Sequence, residues 1–148
     1  MRRRPESDLV YLLMILESTG KIVVYSNGFK NALLFYKAND QLNFNATLLL
    51  LANIGEQVVK ISDETKNKYP DLFWGKMKGF RNRIVHDYAG IDFEMVFDII
   101  KIELPILKNQ LEILIREELS KGIFNKEDFN VAKESDYYNH VAFENIYY

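Results

Sequence analysis

Residues 43–61 read NFNATLLLLANIGEQVVKI and decide the fold class. Six apolar residues recur in this stretch at three- and four-residue spacing: Ala46, Leu49, Leu50, Ile54, Val58 and Ile61. This spacing is the period of an α-helix that buries one face. We expect Asn43 or Asn45 to cap the helix, because an asparagine side chain accepts a hydrogen bond from a free amide of the first turn.

The helical period continues upstream of this stretch. Ser7 or Asp8 is placed to cap a first helix that continues through Tyr25. Its apolar stripe is formed by Leu9, Leu12, Leu13 and Leu16. Gly28 then interrupts the pattern, residues 29–36 are predicted to form a second, short helix, and the polar residues 37–43 a loop.

Two more helices are predicted downstream. Asp71 follows a proline and is expected to cap a fourth helix over residues 72–86. Asp92 is expected to cap a long fifth helix. The stripe of that fifth helix consists of Phe93, Val96, Phe97, Ile100, Leu104, Leu107, Leu111 and Leu114. Pro105 predicts a kink at residues 101–105, because proline lacks the amide hydrogen that a continuous helix uses there.

Helices joined by short loops, with no strand pattern, predict an all-α fold, an up-and-down bundle of about five helices. We expect this bundle to occupy residues 1–122. Residues 123–148 are polar and aromatic without a clean period, and are expected to form a C-terminal tail with room for one short helix. A small bundle of this kind often pairs, so a homodimer is expected.

Composition narrows the possible chemistry. The chain has no cysteine, which excludes disulfides, thiolate zinc sites and cysteine nucleophiles. Met1 to Arg4 are basic but no small-residue cleavage site follows, so a basic N-terminal tail is expected rather than a signal peptide. The longest run of consecutive strongly apolar residues, Leu48 to Leu51, is short compared with the ~20 residues of a membrane span. We therefore predict a cytoplasmic protein with no membrane partner.

The charged residues argue both for and against binding to nucleic acid. The formal net charge is -2, whereas proteins that bind long nucleic acids generally carry an excess of lysine and arginine on one face. Four cations nevertheless fall within eight residues: Lys76, Lys78, Arg81 and Arg83. Asp87 is the only acid between Gly75 and Gly90. A local basic patch is compatible with this pattern.

Residues 81–88 read RNRIVHDY and hold the candidate chemistry. Arginine is a permanent planar cation suited to a phosphate, and histidine exchanges a proton near neutral pH. Metal-free cleavage of RNA needs a base for the 2′-hydroxyl proton and a cation for the charge that develops on the phosphoryl oxygens. His86 and Arg81 suit these two roles. No cluster of carboxylates with metal-ligand spacing lies near them, so no metal and no cofactor is predicted.

Helical geometry separates these residues. On an ideal helix Asn82 and His86 share a face, and Arg81 and Tyr88 lie two turns apart and only about 20° out of register. Arg81 and His86 are about 140° apart around the axis. Their joint action on one phosphate then requires a long arginine reach, an unwound helix end, or a second copy of the chain.

Each motif residue also has a purely structural interpretation. A histidine near a helix C-terminus can serve only as a favourable charge at the negative end of the helix dipole. Arg81 can be a surface ion-pair partner, and Tyr88 can be a packing residue before the turn at Ala89-Gly90. Spacing alone does not decide between the structural and catalytic interpretations.

A resemblance bears on that choice. The chain resembles the HepT-like family of the HEPN superfamily from about Asp8 to Leu119. The elements that carry the likeness are Ile54-Gly55-Glu56, Tyr69-Pro70, Trp74, Met77-Lys78-Gly79-Phe80, the motif Arg81-Asn82-Arg83-Ile84-Val85-His86-Asp87-Tyr88, and Leu104-Pro105.

The resemblance implies the toxin of a type VII-like toxin–antitoxin module, a dimeric helical ribonuclease that works without metal. It implies that Arg81 and His86 cleave RNA. It also implies a partner, an MntA-type nucleotidyltransferase antitoxin, which transfers AMP onto the motif tyrosine, here Tyr88. Such a group would bring bulk and negative charge next to Arg81 and inactivate the site.

Three further residues are predicted to support the site: Asn82, Arg83 and Glu56. Asn82 can orient the imidazole or bind a phosphate, and Glu56 can pair with a motif arginine, Arg81 or Arg83. A different class of function stays open: a non-catalytic helical module that presents Tyr88 to a nucleotidyltransferase. The net charge of -2 favours this alternative slightly.

Overall fold

The computed structural model describes residues 3–148, and their regular structure is helical throughout. The α-helices are α1 Asp8–Ser26, α2 Ala32–Lys37, α3 Leu42–Lys60, α4 Asp63–Lys68, α5 Trp74–His86, α6 Phe93–Asp98, α7 Leu104–Ser120 and α8 Lys126–Lys133. The all-α class is confirmed, but residues 3–148 form eight α-helices and not the predicted five or so. Met1 and Arg2, half of the predicted basic tail, lie outside the described residues.

The longer helices form a bundle around one core. α3 packs between α1 and α5, and α7 packs against α1. The stripe predicted for α1 is buried. In the predicted fifth helix the stripe residues from Val96 onward are also buried, except Phe97, which is partly buried against the core. These two stripes hold the bundle together because they turn apolar surface away from water.

The first part of the chain is tied to an element that the sequence analysis missed. α4 is too short to show a period, and its start is marked by Ser62, whose Oγ accepts a hydrogen bond from the Thr65 amide at 3.2 Å. Asp8 does not cap α1. Its buried carboxylate instead accepts hydrogen bonds from the Ser62 amide at 3.0 Å, from Ser62 Oγ at 2.7 Å and from Thr65 Oγ1 at 2.6 Å.

The far end of α4 is fastened to α7. Glu118, which is fully buried on α7, accepts hydrogen bonds from Lys68 Nζ at 2.5 Å and from the Tyr69 hydroxyl at 2.8 Å. Burial pushes the pKa of the Glu118 carboxyl upward, but these two donors outweigh burial and bring the pKa below its usual value. The carboxylate is therefore stabilised in its charged form.

The predicted asparagine caps of α3 are wrong. The helix begins at Leu42, and its N-cap residue, Gln41, is left-handed with φ of 66°. Asn43 donates to the Tyr25 carbonyl at 2.9 Å, and Asn45 accepts from the Tyr88 hydroxyl. Both side chains make tertiary hydrogen bonds and are unavailable to cap.

The predicted stripe of α3 is confirmed in its second half, where Ile54, Val58 and Ile61 are buried, but is wrong in its first half. Leu49 is 72% exposed, whereas Leu48 and Leu51 are buried. In a run of four leucines the period does not indicate which of them face inward. The core selects the face that carries Phe44, Leu48 and Leu51.

The predicted start of α5 is also wrong. The predicted cap, Asp71, lies outside the helix, which begins at Trp74 and has Phe73 at its N-cap position. Leu72 and Trp74 are both buried, and Trp74 Nε1 donates to the Tyr69 carbonyl at 3.0 Å. Core packing of these two side chains therefore replaces side-chain capping.

The predicted kink at Pro105 takes the form of a π-helical turn, Ile99–Glu103, between α6 and α7. Pro105 follows this turn, separated from it only by Leu104, and a π-helical turn is one of the local changes by which a helix accommodates the missing amide hydrogen of a proline. The predicted cap of α6 is confirmed, because the Asp92 carboxylate accepts from the Glu94 amide at 2.9 Å.

The segment after Gly122, expected as a tail, packs onto the bundle. Gly122 has φ of 77°, and the chain turns there towards α8. Five apolar residues of this segment join the core: Phe124, Phe129, Ala132, Val141 and Ile146. On α1, Glu17 accepts a hydrogen bond from the His140 amide at 2.6 Å. The single short helix allowed by the sequence is α8.

One helical stretch, Pro5–Ser26, is long and apolar enough to cross a membrane by length and composition. Counting consecutive apolar residues does not detect it, since polar residues interrupt it. In the structure α1 packs against α3 and α7 within the bundle.

Candidate active site at the end of α5

The site begins with the close approach of α3 to α5. A Cβ atom placed on Gly55 would lie 2.9 Å from the Met77 carbonyl oxygen and closer still to Arg81 Cβ. Only a residue without a side chain fits at this crossing. Gly55 therefore sets how near the motif helix lies to α3.

Arg81 is fixed at this crossing by two partners. Its guanidinium donates to the Glu56 carboxylate in an ion pair, and its Nη1 donates to Asn82 Oδ1 at 2.9 Å. The Arg81 side chain is 29% exposed, so part of the cation still faces solvent. Asn82 was expected to orient the imidazole of His86 or to bind a phosphate, whereas in the structure its side-chain oxygen accepts a hydrogen bond from Arg81.

His86 is the last residue of α5 and is exposed. Within residues 3–148 no hydrogen bond joins its imidazole to Arg81. Arg81 faces α3 through Glu56, and His86 stands at the exposed end of α5, five residues further along the helix. In the described chain the two side chains share no hydrogen-bond partner.

Tyr88 follows the end of α5 in a short 3-10 helix, Tyr88–Gly90. The phenol ring is 51% exposed, and its hydroxyl donates a hydrogen bond to Asn45 Oδ1 on α3. α3 thus contacts two motif residues, Arg81 through Glu56 and Tyr88 through Asn45. Sequence reasoning assigned Asn45 to helix capping and missed this contact.

Arg83 points elsewhere. Its Nη1 lies 3.6 Å from Met95 Sδ, at the edge of an apolar groove of about 470 Å³ between α5 and the α6–α7 segment. The groove is lined mainly by Leu51, Ile54, Phe73, Met77, Phe80, Ile99, Ile102, Leu104 and Leu107. Among residues 3–148, the Arg83 side chain makes no hydrogen bond or ion pair with the other predicted site residues, so its expected supporting role has no contact to carry it.

The basic patch is weaker than its sequence suggested. Lys76 pairs with Glu103, and Arg81 pairs with Glu56, so two of the four cations already have a carboxylate partner. In the part of the chain that the structure describes, no three histidine, aspartate or glutamate side chains are grouped to hold a metal ion.

Comparison with known proteins places this site in context. The family model described as "Ribonuclease HepT-like" matches residues 15–114, which include α3, α5 and the whole motif. Similar proteins include two from Methanocaldococcus jannaschii. "Putative RNase MJ1216" is 30% identical over 114 residues, covering 76% of this chain and 92% of its own length. "Putative RNase MJ1380" is 30% identical over 105 residues, covering 70% and 93%.

A third similar protein is "Probable ribonuclease HepT" of Thermococcus cleftensis, which is 30% identical over 69 residues. That match covers 47% of this chain and 63% of the relative. No solved structure matches the chain significantly.

Proposed function

Because this chain belongs to the HepT-like ribonuclease family, we propose that it is an RNA endonuclease that works without a metal ion. We further propose that it is the toxin of a type VII-like toxin–antitoxin module in the cytoplasm. One observation carries the proposal. The pattern Arg81, four residues, His86, one residue, Tyr88 stands at the exposed end of α5, with its arginine fixed against α3.

The proposed reaction uses two residues directly. His86 accepts the 2′-hydroxyl proton, and the 2′-oxygen attacks the adjacent phosphorus while the bond to the 5′-oxygen breaks. The products are a 2′,3′-cyclic phosphate and a 5′-hydroxyl, whose oxygen takes its proton from water. Arg81 stabilises the negative charge that develops on the phosphoryl oxygens. Glu56 and Asn82 hold the guanidinium, so its position is established before RNA binds.

A homodimer is part of this proposal, because Arg81 and His86 lie on different sides of α5. Exposed apolar side chains lie on the two helices that form the site: Leu42 is 65% exposed and Leu49 72% on α3, and Val85 is 53% exposed on α5. Contact between two such faces would bury apolar surface and bring two motifs to one cleft. One copy would then supply the arginine and the other the histidine.

Control by an MntA-type nucleotidyltransferase completes the proposal. Tyr88 is 51% exposed, so a partner enzyme can approach this residue from solvent. An AMP group there would place a phosphate charge on the surface that RNA must reach, and would repel the RNA backbone.

The test of catalysis compares the two histidines of the chain, His86 and His140. Purified protein is incubated with RNA in EDTA. We expect cleavage by wild type and by His140→Ala, and none by His86→Ala, with thermal melting to show that each variant is folded. An inactive wild type over varied RNA substrates, or an active His86→Ala, would contradict the proposal.

The second candidate function is a non-catalytic module that presents Tyr88 to a nucleotidyltransferase. The net charge of -2 and the carboxylate partners of Lys76 and Arg81 favour it, because they leave little free positive charge for RNA. Expression in cells separates the two candidates. A toxin arrests growth alone and is rescued by its partner, whereas an accessory module is harmless alone.

A further inference from the structure

We propose that Asn45 is a positioning residue for Tyr88, and that it holds the phenolic oxygen in place for AMP transfer. The inference rests on the modification step of the proposed function. It concerns a residue outside the motif, on a different helix, whose side-chain oxygen accepts the hydrogen bond from the Tyr88 hydroxyl.

The main chain around Tyr88 is well fixed, but the ring has few restraints. Backbone hydrogen bonds join the Gly90 amide to the Asp87 carbonyl at 3.1 Å and the Ile91 amide to the Tyr88 carbonyl at 3.3 Å. The ring itself is half exposed. In the described part of the chain, the bond to Asn45 is the one hydrogen bond that restrains the hydroxyl.

Asn45 is a rigid anchor because it belongs to a long helix. It lies eleven residues before Glu56, which is three helical turns, so the two side chains leave α3 on nearly the same face, about 16 Å apart. Glu56 contacts Arg81, and Asn45 contacts the later residue Tyr88, as expected for antiparallel helices. The face of α3 thus fixes the distance between the motif cation and the motif phenol.

The chemistry assigns Asn45 an orienting role. During transfer the phenolic oxygen forms a bond to the α-phosphorus of ATP, the bond from that phosphorus to the bridging oxygen breaks, and pyrophosphate leaves with the electron pair. The phenolic proton passes to water. An amide oxygen is too weak a base to keep that proton, but by accepting the hydrogen bond it directs the remaining lone pairs of the phenolic oxygen away from α3.

The experiment measures the initial rate of AMP transfer to Tyr88. Full-length protein is incubated with labelled ATP and an MntA-type nucleotidyltransferase from the same genome, and mass spectrometry locates the added group. Asn45→Leu removes the acceptor at similar size, and Asn45→Asp keeps an acceptor oxygen. Asn67→Leu, at an exposed position on α4, is the matched control, and thermal melting reports folding.

We expect Asn45→Leu to slow transfer by about two- to tenfold, the effect of one lost hydrogen bond. Asn45→Asp should recover most of the wild-type rate, and Asn67→Leu should equal it. A wild-type rate in Asn45→Leu overturns the inference alone, and so does an Asn45→Asp rate as low as that of Asn45→Leu. If wild type gains no AMP, the modification step of the proposed function fails and the inference fails with it.

Discussion

Replacing Gly55 by alanine tests whether the spacing of α3 and α5 controls the site. The new methyl group would lie 2.9 Å from the Met77 carbonyl oxygen, whereas ordinary contact begins at about 3.4 Å, and it would lie closer still to Arg81 Cβ. α5 must therefore withdraw by about half an ångström at Met77 and by more at Arg81. The contact of Arg81 with Glu56 crosses the same interface and is displaced with it.

The expected cost follows from two opposing effects. Overpacking a tight interface typically costs about 1–3 kcal/mol. Alanine in place of glycine in a helix returns about 1 kcal/mol. The free energy of unfolding should therefore fall by about 0–2 kcal/mol, which leaves the protein folded. Catalysis should fall further, since a displacement of about 1 Å in a catalytic group can cost about a hundredfold in rate.

The matched control is Gly79→Ala, a glycine-to-alanine change on α5 itself. Nothing lies within 4 Å of a Cβ atom at Gly79, so this variant gains helix propensity without a clash. Chemical denaturation of both variants should show Gly79→Ala as the more stable by about 1–3 kcal/mol. RNA cleavage should be lost largely in Gly55→Ala and retained in Gly79→Ala. Equal stability and equal cleavage in the two variants would refute the argument from helix spacing.

Three further predictions concern stability and assembly. Asp8→Ala leaves the buried donors of Ser62 and Thr65 without their acceptor, and urea denaturation should show a loss of about 3 kcal/mol. Folding lowers the pKa of the Glu118 carboxyl. The carboxylate therefore stabilises the folded protein above pH 4.5, the ordinary pKa of a glutamate, and this stabilisation is lost as the pH falls below that value. Denaturation series from pH 7 to pH 3 should show a smaller acid-induced loss of unfolding free energy for Glu118→Gln than for wild type. Leu49→Glu should convert the proposed dimer to a monomer in sedimentation experiments, whereas Val131→Glu, at a similarly exposed position on α8, should not.

The sequence predicted those parts of the fold that follow from local period and local capping. α1 and the predicted fifth helix have stripes that alternate apolar and polar residues clearly, and both bury the predicted side. Asp92 caps α6 because its acceptor and donor are two residues apart. The prediction failed where the partner is distant in sequence: Asp8 bonds to Ser62, fifty-four residues away, and Asn45 bonds to Tyr88, forty-three residues away.

The C-terminal segment shows the same difference between local patterns, which the sequence predicts, and distant contacts, which it does not. Residues 123–148 have no apolar period, because their buried side chains enter the core singly, from turns as well as from α8. A period arises only when one regular element lies along one surface. The packing of this segment was therefore not readable from its pattern, which allowed one short helix without placing it.

By itself the sequence determined the all-α class, the main helices and the order of arginine, histidine and tyrosine in the motif, since these depend on neighbours within a few residues. Only the tertiary structure decided which of the four leucines of α3 face the core, that Glu56 holds Arg81, and that Asn45 holds Tyr88. The physical reason is the crossing of α3 and α5. A close contact at a glycine brings together side chains that are far apart in sequence, and no local pattern encodes that contact.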